Sequence, residues 1–308
     1  MSRSTGASAP EPHPAGTPDA PDSSTASARY LRPHYAPGVP GVIAPVTEPL
    51  SRMLDDAARR FPDRIALDFL GKSTTYRQLS EQVARAAEAL RRLGVGRGDV
   101  VGVILPNCPQ HVVIAYAAWR IGAIVAEHNP LAPAHEVRAQ LDHHGARVVI
   151  VWEKGIDLVL DPASTAAGGP DPAVDPLSGR TVFSVDLSAA MPVRLRAALH
   201  LPVARARRMR ASMKADVLPA GVLSWDREVS RASRLPASWP HPRGSDIAVL
   251  LHTGGTTGTP KAAMLSHTNL RANVNQAIAW VPMLHEGAEN FLALLPFFHA
   301  FGLTFNLF

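Results

Sequence analysis

The sequence predicts an α/β fold in which a largely parallel, doubly wound sheet is flanked by helices. Three observations carry that prediction. Short apolar runs, "DVVGVILPN", "AIVAEHNP" and "RVVIVW", alternate with stretches of helical period. The runs are apolar throughout rather than every second residue, as in strands covered on both faces. With 308 residues, 46% of them hydrophobic, the chain is long enough to bury a substantial core.

The first 30 residues are small, polar and proline-containing, and read as a disordered tail. They lack the apolar core of a secretory signal and carry acids that a mitochondrial presequence avoids. Residues 31–152 form the first part of the fold, with order expected from about Val46. "PLSRMLDDAARRFP" has helical spacing and stops at Pro62, and "RIALDFL" and "KSTTY" read as two short strands joined at Gly71. Thr75 and Gln78 have the spacing of a capping box. In the helix that follows, Leu79, Val83, Ala86, Leu90 and Leu93 share a face, and Gly94 ends the run. Pro109 suits the first turn of another helix. "HVVIAYAAWRIGAIVAE" is broken by Arg120 and too short to span a bilayer, so it reads as a buried helix running into a strand. A helix over His135–His143 leads through Gly145 to "RVVIVW".

Residues 153–244 change character and read as a linker or insertion: a proline-rich stretch, a short strand "TVFSVDL", then "MPVRLRAALHLPVARARRMRASMKA". Residues 191–215 hold seven basic residues (Arg194, Arg196, Arg205, Arg207, Arg208, Arg210, Lys214) and no acidic one, with a helix break at Pro202. Leu195, Leu199 and Val203 are expected to form one stripe with the arginines turned away. Two readings stay open. One is an interfacial helix in peripheral contact with anionic membrane, where each basic residue adds roughly 1 kcal/mol. The other, commoner for amphipathic stretches, is a solvated basic face packed on the domain. The net charge of +5 is concentrated here, the rest of the chain holding 24 basic against 26 acidic residues, which argues against a nucleic-acid partner. A single cysteine, Cys108, excludes an internal disulfide and fits a reducing, cytoplasmic setting, with the inner face of the membrane as the alternative site.

Residues 245–308 carry the chemistry. "DIAVLLHT" and "AAMLSH" read as strands, and between them lies "TGGTTGTPK". Glycine-rich backbone can converge its amides into an anion-binding nest, threonine hydroxyls add donors, and Lys261 adds a charge. Such a loop suits nucleotide phosphates, each charge-assisted hydrogen bond contributing roughly 1.5–3 kcal/mol. It is not a Walker loop, having no Gly-Lys pair, and Pro260 precedes the lysine. A plain hairpin tip would not require four threonines and a lysine.

Thr253, Gly254, Gly255, Thr256, Thr257, Gly258 and Lys261, followed by "LLPFFHAFGLT" with Leu295, Pro296, His299 and Gly302, resemble the two signature motifs of the adenylate-forming (AMP-binding) superfamily. The likeness runs from about residue 31 to 308. "RPHYAPGVPGVI", the threonine-led loop and the basic insertion are similar to the long-chain fatty-acid–CoA ligase branch. The family usually has glycine after the lysine, where this chain has Ala262. The resemblance implies ATP, Mg2+ and coenzyme A as cofactors and cosubstrate, and a long-chain fatty acid as the substrate. It implies that the loop holds the β- and γ-phosphates with Thr256 near the metal. It also implies that His299 is a catalytic residue near the acyl group and the α-phosphate, with Phe298, Phe301 and Gly302 lining the acyl site.

The last 18 residues are mostly apolar and hold six of the nine phenylalanines. Such an end is aggregation-prone if uncovered, and the resemblance implies further motifs beyond it. The expectation is an incomplete N-terminal part of a ligase, itself an inactive fragment. The alternatives are a non-catalytic nucleotide-binding remnant and a fatty acyl-AMP ligase that serves a carrier protein.

Overall fold

The computed structural model describes residues 35–161, 175, 177–215, 217–253 and 261–307. Helix α1 (Ser51–Arg60) and the antiparallel pair β1 (Ile65–Phe69) and β2 (Lys72–Thr75) precede α2 (Tyr76–Arg92). The predicted capping box is formed: Gln78 N donates to Thr75 Oγ1 at 3.3 Å, and Thr75 N donates to Gln78 Oε1 at 2.9 Å.

The main sheet takes β3 (Val100–Ile104), β4 (Ile124–Glu127), β5 (Val148–Trp152), β6 (Thr181–Val185), β7 (Leu223–Ser224), β8 (Ile247–Thr253) and β9 (Lys261–Ser266). Its order is β7-β6-β5-β3-β4-β8-β9, parallel throughout except for the last pair. Between the strands lie α3 (Pro109–Arg120), α4 (Ala134–His144), α5 (Val193–Ala198), α6 (Ala204–Met213) and α7 (Trp225–Arg231), and after the sheet come α8 (His267–Trp280) and α9 (Ala300–Asn306).

Two buried clusters explain the continuous apolar runs. Val148 and Ile150 of β5 join Val101, Val103 and Phe183 in one cluster with α2 and α3, whereas Val149 and Val151 join Ile104, Val182 and, from α4, Val137 and Leu141. Successive residues of a strand point to opposite faces, so a sheet covered on both sides needs both sets apolar. Helix α3 is buried around its whole circumference from His111 onward. Its one interior cation, Arg120, is tolerated because its guanidinium donates to the carbonyls of Ala237, Trp239 and Pro240 at 2.8–3.3 Å. Helix α4 ends at Gly145, whose φ of +65° provides the left-handed cap.

Residues 153–244, expected as a linker or insertion, contribute β6 and β7 to this same sheet. The side chains of β6 divide between the two clusters, Val182 to one and Phe183 and Val185 to the other, which fixes it as an interior strand. The expected stripe of Leu195, Leu199 and Val203 is not formed. Leu199 is buried but Leu195 and Val203 are exposed, because the chain breaks at Pro202 between α5 and α6 and no continuous face survives. Among the described residues no helix is long and apolar enough to cross a membrane.

Candidate functional site

In open α/β sheets ligands gather outside the carboxyl ends of the strands. Here the carboxyl ends of β3, β4 and β8 are adjacent, and each leads into one part of the candidate site.

From β8 comes the glycine- and threonine-rich segment. Thr253 is the last residue of β8 and is in register with Lys261, the first of β9. Both are exposed, and the Thr253 hydroxyl donates to the Lys261 carbonyl at 3.4 Å. The antiparallel pair therefore closes the loop at its neck, with the Thr253 hydroxyl engaged on the Lys261 carbonyl and the Lys261 ammonium group exposed. Gly254, Gly255, Thr256, Thr257 and Gly258 lie outside the described residues.

From β3 comes an anchor that sequence reasoning missed. Asn107 Nδ2 donates to the carbonyls of Ala293 and Leu295 at 2.9 and 2.8 Å, and its Oδ1 accepts from Phe297 N at 2.9 Å. Both faces of one amide thus hold the second motif against the end of β3. Phe297 is buried edge-on to His111, ring centroids 5.3 Å apart. His299 is exposed at the start of α9, 4.5 Å from the Phe298 ring, while Phe301 is exposed and stacks on Phe305 at 4.3 Å. Gly302 is buried, and a Cβ there would stand 2.0 Å from the Pro296 carbonyl oxygen, so its small size seats α9 on the motif's own backbone. Replacing Asn107 with alanine is expected to remove about 1.5–4.5 kcal/mol, three hydrogen bonds at about 0.5–1.5 kcal/mol each, in urea unfolding. Asn107→Asp keeps the acceptor for Phe297 N but turns a carboxylate oxygen toward the Ala293 and Leu295 carbonyls, and should lose at least as much.

From β4 comes a buried polar network. His111 Nε2 lies 2.9 and 3.0 Å from the two Glu127 carboxylate oxygens, and both residues are buried. The Glu127 main-chain carbonyl accepts from His252 Nδ1 at 3.0 Å, joining β4 to the residue before Thr253. A histidine and a glutamate inside the apolar runs "HVVIAY" and "AIVAE" are the signal that could have found this pair, since a buried charge needs a partner. A cleft of about 420 Å³ lined by Ser51, Asp55, Arg120, Arg234 and His241 shares α3 with this network but none of the residues described above for the site.

Several imidazoles are held neutral. Burial pushes His128 down to about 3 and His144, His241 and His267 to about 4. Their folded values lie below the unfolded value of about 6.5, so the unfolded chain takes up protons first as pH falls. Stability is therefore expected to be full above pH ~6.5 and to decline from there toward pH ~4. Burial raises Asp55, which acts in the opposite sense only in the carboxylate range. Urea midpoints at pH 7.5, 6 and 5 check this, and a midpoint that rises on acidification contradicts it.

Comparison with known proteins bears on what this arrangement belongs to. The long-chain-fatty-acid–CoA ligase of Bacillus subtilis (strain 168) is 32% identical over 275 residues, 88% of this chain and 46% of that protein. The 4-coumarate–CoA ligase-like 9 of Oryza sativa subsp. japonica is 30% identical over 271 residues, 86% of this chain and 41% of that protein. A crystal structure of a long-chain-fatty-acid-CoA ligase from Archaeoglobus fulgidus shares the fold, with a TM-score of 0.61 at 24% identity over 88% of this chain and 47% of that one. The chain spans about half the length of the curated relatives it matches. The family profile described as AMP-binding enzyme matches residues 54–308, nearly all of the described structure. The chain belongs to that family, the adenylate-forming AMP-binding enzymes.

Proposed function

We propose that the protein, in its full length, activates a long-chain fatty acid with ATP and passes the acyl group to coenzyme A. A carboxylate oxygen attacks the α-phosphorus, the bond to pyrophosphate breaks, and an acyl adenylate forms. A thiolate then attacks the acyl carbonyl and AMP leaves. The observation that supports this reading is the neck of the phosphate loop, where the exposed Thr253 and Lys261 face each other across paired strands. Lys261 offers positive charge to the departing pyrophosphate, and attack by one anion among several others needs that charge in place. Mg2+, when bound, neutralises the phosphates, with Thr256 as its proposed ligand from this chain. His299 is proposed beside the acyl group and the α-phosphate. Phe298, Phe301 and Gly302 are proposed on the acyl side, where Phe301 and Phe305 present a stacked aromatic surface.

The test is fatty-acid-dependent pyrophosphate release with ATP, Mg2+ and palmitate, with hydroxylamine to trap the adenylate and with coenzyme A present or absent. The full-length protein is expected to turn over and the 308-residue chain to bind ATP without turnover. Lys261→Ala should slow release by about tenfold or more, the loss of a charge-assisted hydrogen bond of roughly 1.5–3 kcal/mol. Release independent of fatty acid, or none, refutes the reading and leaves a nucleotide-binding remnant. Adenylate that coenzyme A does not discharge indicates a carrier protein as acceptor, and a series of acids sets the chain length.

Peripheral membrane contact is proposed for residues 193–213, where exposed Val193, Leu201, Val203 and Met209 stand among the arginines. Sedimentation with phosphatidylserine vesicles is expected to be salt-sensitive and weakened when Arg205, Arg207, Arg208 and Arg210 become glutamine. Binding that ignores both changes rules it out.

A further inference from the structure

Three imidazoles from three elements converge at the carboxyl end of β8, next to Thr253. His128 follows β4 directly, His144 is the last residue of α4, and His252 lies in β8 just before Thr253. One nitrogen of each lies within 4.8 Å of the others. His128 Nε2 and His144 Nε2 are 3.1 Å apart.

The outward nitrogens show which way the lone pairs point. His252 Nδ1 faces the Glu127 main-chain carbonyl, which can only accept, so Nδ1 carries the proton and Nε2 the lone pair. That Nε2 is buried with no hydrogen-bond partner among the described residues. His128 Nδ1 lies 2.9 Å from Gln140 Oε1, and Gln140 Nε2 donates to Glu136 Oε1 at 3.1 Å, which fixes the amide's orientation. His128 therefore also donates outward and keeps its Nε2 lone pair inward. Metal-ligating histidines are held in this way, the second N–H on a carbonyl, amide or carboxylate oxygen, and two of these three are, whereas Nδ1 of His144 is buried with no partner among the described residues. Simple packing of neutral rings leaves the orphaned Nε2 of His252 unexplained, and a buried unpaired acceptor is unfavourable.

We propose that His128, His144 and His252 bind one transition-metal ion of the zinc class through three imidazole nitrogens, with a fourth position open. Two nitrogens on one tetrahedral ion at about 2.0–2.1 Å stand about 3.3–3.4 Å apart, close to the His128–His144 spacing. The wider pair must close by no more than roughly 1.5 Å, within reach of a χ rotation of the half-buried His252. An all-imidazole donor set selects zinc, copper or nickel over magnesium or calcium. The C-terminal end of α4 adds partial negative charge beside His144, and Arg180, which faces that histidine, is paired with Asp142. A bound ion would clip the end of β8 to β4 and α4, immediately before the residue that opens the phosphate loop. The site is independent of the nucleotide reading.

The test uses the purified chain stripped with EDTA and titrated with Zn2+ alone and with Co2+ alone. One ion per chain is expected, with the intense visible absorption of tetrahedral Co2+ and a melting temperature raised by Zn2+. His144→Gln and His252→Gln should each weaken binding by about tenfold to a hundredfold or more, while His135→Gln, an exposed histidine outside the cluster, should bind as wild type. Octahedral Co2+ spectra, or Zn2+ affinity and melting shift equal in wild type and His144→Gln, overturn the proposal. Should a variant fail to fold, the wild-type Co2+ spectrum decides alone.

Discussion

The His111→Ala chain is expected to unfold about 3–5 kcal/mol more easily than wild type, a large part of the 5–15 kcal/mol typical of a folded domain. Both partners of the His111–Glu127 pair are buried, and the carboxylate faces the imidazole with both oxygens. Removing the imidazole leaves a carboxylate without its partner in a site that water does not reach, and it removes the ring that packs edge-on against Phe297. The consequence extends beyond stability. The Glu127 carbonyl positions His252, and Phe297 is held by Asn107, so slackening this pair loosens the supports of both motifs together. Thermal unfolding at pH 7.5 should show a drop of about 2–4 °C for each kcal/mol lost. His111→Gln keeps an N–H donor toward Glu127 and should recover much of the difference. A His111→Ala protein within 1 kcal/mol of wild type would mean that the pair is not what joins α3 to β4.

The residues that could be read from sequence and those that could not differ in how far their reasons reach along the chain. The capping box at Thr75 and Gln78 and the stop at Gly145 have causes within a few residues, and both are formed as read. The parallel sheet was legible because burial on both faces leaves a local trace, the unbroken apolar run in "RVVIVW". The role of β6 as an interior strand was less so. Its neighbour β7 is only two residues long, and the proline-rich and basic composition around both suggested a linker. The stripe through Leu195, Leu199 and Val203 failed because helical spacing was extrapolated across Pro202. Residue chemistry singles out Thr253 and Lys261 as candidates, and the register of β8 with β9 sets them opposite each other. Asn107 was hidden because its three partners lie more than 180 residues away, as was the convergence of His144 with His128 and His252, the last two 124 positions apart but at the ends of neighbouring strands. Such groupings are created by topology, and only a partnerless polar residue in an apolar run hints at them.

Gly302→Ala is the second substitution expected to have a large effect. The added carbon would meet the Pro296 oxygen at 2.0 Å, the Pro296 carbonyl carbon at 2.6 Å and the Leu295 oxygen at 2.9 Å. All three are main-chain atoms, so no side chain can swing aside, and relief requires α9 or residues 295–296 to move by about 1 Å. Asn107 and Asn306 both bond the Leu295 carbonyl, while Leu303 and Leu307 pack α9 into the main core, so each side of the clash is tied down. Overpacking costs about 1–3 kcal/mol in general, and the rigid surroundings place this case at or above the upper end. Leu303 N donates to the His299 carbonyl, so a displaced helix carries His299 with it. If His299 acts as proposed, a displacement of about 1 Å there is expected to slow turnover about a hundredfold. Gly96→Ala supplies the contrast. Its new carbon would find only Asp99 Oδ2 at 3.8 Å, and its stability should stay within about 1 kcal/mol of wild type. If the two alanine variants melt together, α9 does not sit on Pro296 as closely as described.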